Sequence, residues 1–204
     1  NRRPWLIAAA VATTLIVSGC GGGSGGLSRR PTPAVTVLMA TAPGSLDPAA
    51  GDTPQALEAD WLAYTPLLTY AHADGASGTS VIAGLAEDVP TIGDGGKTYT
   101  LTLRPGLRYS NGQPVRAGDF SWEVKRAIRL WPGASRFIIG HIVGAAQFAA
   151  GHASTVSGIA ADNATGQITI RLTAPDGQFE NVLALPALAP VPAATPLTDQ
   201  QASP

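Results

Sequence analysis

The chain has 204 residues, of which 13 are basic and 14 acidic, so its formal net charge is −1. The basic side chains are scattered along the sequence rather than clustered, which gives no reason to expect a nucleic acid partner. The single cysteine, Cys20, excludes an intrachain disulfide.

The first 20 residues have the pattern of an export signal. Two arginines near the start precede an apolar run of 13 residues at positions 5–17, and small residues come directly before Cys20. The apolar run is shorter than the ~20 residues that span a bilayer, which disfavours a permanent transmembrane helix. The arginine pair leaves both the general secretory and the twin-arginine export routes open. We therefore predict a signal peptide over residues 1–19.

Cys20 predicts attachment to the membrane. A cysteine directly after small residues at the end of an export signal resembles a lipoprotein cleavage site, where the cysteine is diacylated and becomes the mature N-terminus. Residues 20–34 are rich in glycine and offer no core that would bury a thiol, so they predict a flexible tether. The expected localisation is the extracytoplasmic face of the cell membrane, in the periplasm or at the cell surface, with the lipid on Cys20 as anchor.

The folded part is predicted to begin with a short strand at residues 35–39 and a turn at Asp47, which precedes a proline. A helix then starts near Pro54 and continues toward residues 67–68, with Pro66 favouring an earlier end. The small and polar residues that follow predict a surface loop.

The central part of the chain changes from strand to helix. Residues 98–104 alternate polar and apolar side chains, which is the period of a half-buried strand. Turn residues follow, and apolar side chains at helical spacing then predict a helix over residues 119–131. Arg116 precedes this helix and cannot accept backbone N–H bonds. Asp119 is therefore expected either to cap the helix directly or to leave a frayed first turn.

The second half contains a helix and two strands by the same criteria. Residues 137–139 and 142–151 predict a helix that stops at Gly151. Two strand-like segments follow at residues 156–159 and 167–172, separated by a turn rich in Asp, Asn and Gly. Strands and helices are mixed along the chain, and the predicted fold class is α/β, of the mixed α+β type.

One part of the sequence is more informative than its hydrophobic periodicity alone. Residues 99–115 read YTLTLRPGLRYSNGQPV, and residues 117–120 read AGDF. Together with the Ser-Leu-Asp-Pro of residues 45–48, they resemble the extracytoplasmic solute-binding proteins of family 5, the substrate-binding proteins of oligopeptide, dipeptide and nickel ABC transporters. The resemblance covers most of residues 35–196. It implies that residues 35–204 are the N-terminal lobe of a two-lobed, periplasmic-binding-protein-like fold of type II, incomplete at the C-terminus.

The resemblance implies a function in transport. Such a protein captures peptides or a related small solute outside the membrane and delivers it to the permease of an ABC importer. An alternative is a surface lipoprotein of the same fold that binds or senses a ligand without transport. Neighbouring genes for permease and ATPase subunits would favour transport. The expected partners are a peptide or small-solute ligand, the ABC permease subunits and the membrane through Cys20, with no nucleic acid.

The resemblance also implies which segments bind the ligand, namely the loop after the first strand and a segment after the long helix. The candidate residues are Gly51, Asp52, Thr53, Pro54, Gln55, Arg136 and Phe137. A loop with proline and glycine exposes amides that can pair with an extended peptide backbone. For Asp52 and Thr53, a role as helix N-cap is an equally good interpretation.

No pattern in the sequence predicts catalysis or a metal site. The three histidines, His72, His141 and His152, lie in unrelated contexts, and neither a nucleophile elbow nor a metal-ligand spacing occurs. No residue supports the nickel of the family name. We therefore predict a binding protein rather than an enzyme, with no catalytic residue, cofactor or metal. A hydrolase would need a nucleophile–base pair outside these 204 residues.

Overall fold

The structure is a computed structural model that describes residues 36–202, apart from the side chain of Ser135. The predicted signal peptide (1–19) and tether (20–34) lie outside the described residues. The helices are α1 (Pro54–Ala63), α2 (Ala117–Leu130), α3 (Ala145–Ala149) and α4 (Phe179–Leu183). The strands are β1 (Leu68–Tyr70), β2 (Val81–Ala83), β3 (Thr91–Gly93), β4 (Thr98–Thr102), β5 (Ile159–Ala161) and β6 (Gln167–Arg171). Short 3₁₀ turns occupy Gly75–Thr79, Asp94–Gly96 and Pro186–Leu188, and Ser135–Ile139 forms one turn of π-helix. The mixed α/β class is confirmed.

The strands form two antiparallel sheets. β1 pairs with β2, and a four-stranded sheet has the order β3-β4-β6-β5. In the larger sheet Tyr99 lies opposite Ile170, and Leu101 lies opposite Ile168. These four side chains are buried, while the threonines that alternate with them in β4 are only partly covered. The predicted period of two therefore gives one core-facing surface of the sheet.

The core is formed between this sheet and the long helix α2. Phe120, Val124 and Ala127 recur on one face of α2 and are fully buried in the same cluster as the sheet residues. Apolar side chains at this spacing share one face because a helix has 3.6 residues per turn. Burying a large apolar side chain contributes about 1.5–3 kcal/mol to the free energy of unfolding.

Helix α2 begins at Ala117 with Arg116 as its N-cap residue, so Asp119 is not the N-cap and instead closes the first turn from the third helical position. The Asp119 carboxylate accepts a hydrogen bond from the Arg116 amide at 2.8 Å and another from the Tyr109 hydroxyl at 2.9 Å. Burial and the nearby Asp119 carboxylate raise the pKa of Tyr109. The start of α2 is thus joined to the turn before it without a side-chain acceptor at Arg116.

One prediction for the first part of the chain is wrong, because residues 36–39 form no strand. The earlier helix end favoured by Pro66 is confirmed: α1 ends at Ala63 and does not reach residues 67–68, and Tyr64 has extended backbone angles (φ −121°, ψ 146°). Pro66 accounts for this end, because proline disfavours helix both at its own position and at the residue before it.

The helix predicted over residues 137–151 is interrupted. The turn Ser135–Ile139 stops before Gly140, and α3 begins only after Gly144, whose φ is +80°. A Cβ at Gly144 would lie 2.3 Å from the Ser157 hydroxyl oxygen, so both the backbone angle and the available space require glycine there. The predicted stop at Gly151 is confirmed, since its φ is +77° just after α3.

A buried ionic cluster joins α2 to the first and the last described segments. The Arg126 guanidinium donates to both carboxylate oxygens of Asp47, at 3.0 and 2.5 Å, and to Glu123 at 3.0 Å. It also donates to the carbonyl oxygen of Pro196 at 2.8 Å and, at a longer 3.4 Å, to that of Thr198. One buried arginine therefore holds the loop at Asp47 and the segment after Pro192 against the same helix.

The cluster contains more carboxyl groups than cations. Asp60 and Glu123 are both fully buried, and both oxygens of Asp60 and one of Glu123 lack a hydrogen-bond partner among the described residues. Burial, reinforced by Asp47, raises the pKa of Asp60 to about 6. Burial also raises the pKa of Glu123 to about 8, against the opposing attraction of Arg126. A proton on each carboxyl removes the cost of an unpaired buried charge.

Candidate functional site

The first predicted ligand segment, residues 51–55, lies at the start of α1. Thr53 has extended backbone angles, and its hydroxyl oxygen accepts a hydrogen bond from the Ala56 amide at 3.1 Å. Thr53 is therefore the N-cap of α1, and Pro54 is the first helical residue, where its missing N–H has no cost. The side chain of Asp52 is exposed, and that of Gln55 is partly covered. The N-cap interpretation thus holds for Thr53 and not for Asp52.

Gly51 has a packing role in this segment. It is buried, and its amide donates to the Asp47 carbonyl at 3.0 Å. A Cβ at this position would lie 2.8 Å from a carboxyl oxygen of Asp60, so any larger residue would push α1 away from the loop. Within residues 36–202 the amides of Asp52 and Thr53 have no acceptor. These two amides remain available to a partner outside the described part.

The second predicted pair, Arg136 and Phe137, lies in the turn Ser135–Ile139 and borders an open cavity of about 380 Å³. The Phe137 ring stacks on the Trp131 indole, with ring centroids 5.5 Å apart and an interplanar angle of 13°. The Arg136 guanidinium carbon lies 5.6 Å from the centre of the Phe137 ring. We call this space the Arg136 cavity, and its lining residues are Tyr70, Arg136, Phe137, His141, Asp176, Gln178, Asn181, Val182 and Leu185.

The Asp176 side of the Arg136 cavity is fixed by hydrogen bonds. One Asp176 carboxylate oxygen lies 3.1 Å from His141 Nδ1, and the other accepts a hydrogen bond from the backbone amide of Gln178 at 2.9 Å. The Asp176 carbonyl accepts from the Tyr99 hydroxyl at 2.5 Å. Burial, with the Asp176 and Glu180 carboxylates nearby, raises the pKa of Tyr99. The loop before α4 is thereby attached to the core of the sheet.

A second set of contacts joins β1 to α4 across the cavity floor. The Tyr70 hydroxyl donates to Asn181 Oδ1 at 3.0 Å, and Asn181 Nδ2 donates to Gln178 Oε1 at 3.0 Å. Trp61, near the end of α1, lies with its ring centroid 6.0 Å from that of Tyr70. These contacts connect Tyr70, Asn181 and Gln178 to one another in the cavity lining.

The structure therefore separates the two predicted segments. Arg136 and Phe137 share a cavity, whereas residues 51–55 line none of the three cavities described for residues 36–202. The sequence-based interpretation missed Tyr70, His141 and Asp176. They come from three distant parts of the chain, and no local pattern marks them as neighbours.

The described residues offer few other kinds of site. Among them no group of three or more His, Cys, Asp and Glu side chains could hold a metal ion. No helix within residues 36–202 has the length and apolar character needed to cross a membrane. A second, smaller cavity of about 220 Å³ lies between Tyr64, Tyr109 and the segment from Pro190 to Pro192.

Comparison with known proteins places the chain in a family. The profile of the "Bacterial extracellular solute-binding proteins, family 5 Middle" matches residues 80–203. The chain is 34% identical over 98 residues to the dipeptide-binding protein DppE of Bacillus subtilis, which covers 47% of this chain and 18% of DppE. It is 38% identical over 104 residues to the probable deoxycholate-binding periplasmic protein YgiS of Escherichia coli, which covers 48% of this chain and 19% of YgiS.

Solved structures give the same result for the fold. The clavulanic acid biosynthesis oligopeptide binding protein 2 superposes with a TM-score of 0.65 at 28% identity, over 74% of this chain and 28% of that protein. The murein tripeptide binding protein MppA of Escherichia coli superposes with a TM-score of 0.64 at 25% identity, over 75% of this chain and 29% of MppA. The chain spans about a fifth of the length of the curated relatives it matches. The predicted resemblance is confirmed, and the chain belongs to family 5 of the bacterial extracellular solute-binding proteins.

Proposed function

We propose that this chain is part of the substrate-binding lipoprotein of an ABC importer, which captures a peptide or a related small solute outside the membrane and delivers it to the permease. The observation that carries the proposal is the family match over residues 80–203. Several relatives are named for dipeptides or oligopeptides, and one is named for deoxycholate. We therefore propose a peptide as the ligand, with a non-peptide solute as the alternative. The protein binds its ligand without chemical change.

Two surfaces of the chain support ligand capture in different ways. The free amides of Asp52 and Thr53 can pair with the carbonyl groups of an extended peptide, which gives affinity with little dependence on side chains. The Arg136 cavity can take a ligand side chain, since ligand pockets in proteins measure about 300–1,000 Å³. A second lobe closing by a hinge motion over both surfaces would exclude water from the ligand.

The membrane anchor is a separate part of the proposal and rests on the sequence around Cys20. Diacylation of Cys20 would hold the protein at the extracytoplasmic face of the cell membrane, with residues 20–34 as tether. Cys20→Ser should move the protein from the membrane fraction to the soluble fraction and remove the lipid mass from its N-terminal peptide. Retention of the variant in the membrane would contradict lipid anchoring through Cys20.

Native mass spectrometry of the protein purified without its lipid tests the ligand class. We expect a series of co-purified peptide masses, since recognition through backbone amides accepts many sequences. One discrete non-peptide mass would replace the peptide assignment with a dedicated solute. An empty protein whose melting temperature does not respond to peptide pools would overturn peptide capture. Loss of peptide uptake by cells without the gene would support transport, and unchanged uptake would favour a surface sensor.

A further inference from the structure

The Arg136 cavity is lined by one guanidinium, that of Arg136, and one carboxylate, that of Asp176, and these two groups form no ion pair with each other. Within residues 36–202 no carboxylate lies within ion-pair distance of the Arg136 guanidinium, whose one described contact is the face of Phe137. The side chain of Arg136 is exposed, so no burial cost is being offset by a partner inside the protein. An unpaired guanidinium on the rim of a ligand-sized cavity is available to an anion.

The single carboxylate in this cavity is already committed. Both Asp176 oxygens have partners, His141 on one side and the Gln178 amide on the other. These two contacts hold the Asp176 side chain in place, and its carboxylate forms no ion pair with Arg136. The contact with Asp176 leaves His141 Nε2 without a partner among the described residues.

Part of the cavity lining is apolar. Phe137, Val182 and Leu185 belong to this lining, and the stacking of Phe137 on Trp131 fixes the position of its ring. A space of about 380 Å³ is at the small end of ligand pockets, so it fits one side chain or one chain end rather than a whole peptide. A group with an apolar stem and an anionic tip fits the apolar side chains and the unpaired guanidinium of this lining.

We infer that the Arg136 cavity is a subsite for a carboxylate of the bound ligand, paired with the Arg136 guanidinium while the carbon stem packs on Phe137. This inference rests on the proposed function. It predicts a protein that prefers ligands with an acidic side chain, or with a free C-terminus directed into the cavity. A planar guanidinium binds a carboxylate through two parallel hydrogen bonds, which distinguishes it from the neutral amide of the same shape. A preference of about tenfold corresponds to a 1.4 kcal/mol difference in binding free energy.

The test uses tetrapeptide pools in which each position in turn is fixed as glutamate or as glutamine and the others are random. Apparent dissociation constants are measured by isothermal titration calorimetry for the wild-type protein, Arg136→Gln, Arg136→Lys and the control Arg171→Gln. Arg171 is exposed on β6 and lies outside the cavity, so the control loses the same charge elsewhere. A parallel pool with amidated C-termini separates a side-chain carboxylate from a terminal one.

We expect the wild-type protein and Arg171→Gln to bind one glutamate pool, or the free-acid pool, about tenfold more tightly than its neutral counterpart. Arg136→Gln should lose this preference and keep its affinity for the neutral pool, and Arg136→Lys should retain part of the preference. Equal affinities for acidic and neutral pools in the wild type, or a preference that survives in Arg136→Gln, would overturn the subsite and leave peptide binding intact. Absence of binding to every pool would instead refute the proposed function, and the subsite with it.

Discussion

Replacement of Arg126 by methionine should be among the most damaging single changes in this chain. The guanidinium is fully buried and donates two hydrogen bonds to Asp47, one to Glu123, and one each to the carbonyls of Pro196 and Thr198. Methionine keeps much of the apolar stem and removes the charge. The Asp47 carboxylate then stays buried without a cation, and losing one partner of a buried pair costs about 3–5 kcal/mol of unfolding free energy.

Urea denaturation followed by tryptophan fluorescence measures this loss. With a slope of about 2 kcal/mol per molar urea, the midpoint should fall by about 1.5–2.5 M. The control is Arg129→Met, one turn further along α2, where an exposed guanidinium contacts the Phe148 ring and nearby carbonyls. This control should cost less than about 1 kcal/mol. Combining Arg126→Met with Asp47→Asn should recover part of the loss, because the unpaired charge is then removed as well.

The result that would refute this reasoning is a similar, small loss for Arg126→Met and Arg129→Met. It would mean that the carboxylate of Asp47 finds water or another donor once the arginine is gone. A double variant that is less stable than Arg126→Met alone would also contradict the reasoning. In that case the arginine would stabilise the protein through its bonds to the carbonyls rather than through its charge.

Two further predictions concern the same buried carboxyl groups and one close backbone contact, that of Gly158 with Val143. Because folding raises the pKa of Asp60 from 3.8 to about 6 and that of Glu123 from 4.5 to about 8, the folded state holds protons that the unfolded chain releases. Stability should therefore fall as pH rises from about 4 to 8, and the double variant Asp60→Asn with Glu123→Gln should remove this fall in urea midpoints at pH 5 and 8. If the urea midpoints of the variant and the wild type fell in parallel as the pH rises, this prediction would be contradicted. Gly158→Ala should cost about 1–3 kcal/mol in thermal unfolding, since its Cβ would lie 2.6 Å from the Val143 carbonyl oxygen. Gly177→Ala, with nothing within 4 Å of the added atom, should be nearly neutral, and equal losses for both would contradict the clash.

The sequence predicted those elements whose signal is local and strong. β4 and β6 alternate without interruption, and α2 has an unbroken apolar face, so their existence and side-chain orientation could be read from the period alone. The ends of elements were less predictable. The helix expected over residues 137–151 has helical composition, but Gly144 adopts a left-handed angle because Ser157 packs directly against it. That contact is made by residues 13 positions apart and leaves no periodic signal.

The residues of the candidate site also differ in whether the sequence could predict them. Arg136 and Phe137 could be named from a resemblance, since they lie together in one short segment directly after α2. The rest of the cavity could not be named, because Tyr70 and Asp176 are brought to it by β1 and by the loop before α4. In the sequence, His141 stands as an isolated histidine. Its neighbour Asp176 is 35 residues away, and only the folded chain shows that they form a pair.

Asp47 shows why a correct local interpretation was still incomplete. An aspartate before proline predicts a turn, and the structure contains that turn, with the Ala49 amide donating to the Asp47 carboxylate at 3.2 Å. The turn does not require the side chain to be charged or buried. Both properties come from Arg126, which lies 79 residues later, and from the Gln200 amide, which donates to the same carboxylate at 2.9 Å. A turn of this kind tolerates asparagine or serine, whereas a buried ion pair with arginine does not. The demand for aspartate at this position therefore comes from the packing of α2 against both ends of the described chain, which no window of sequence around residue 47 contains.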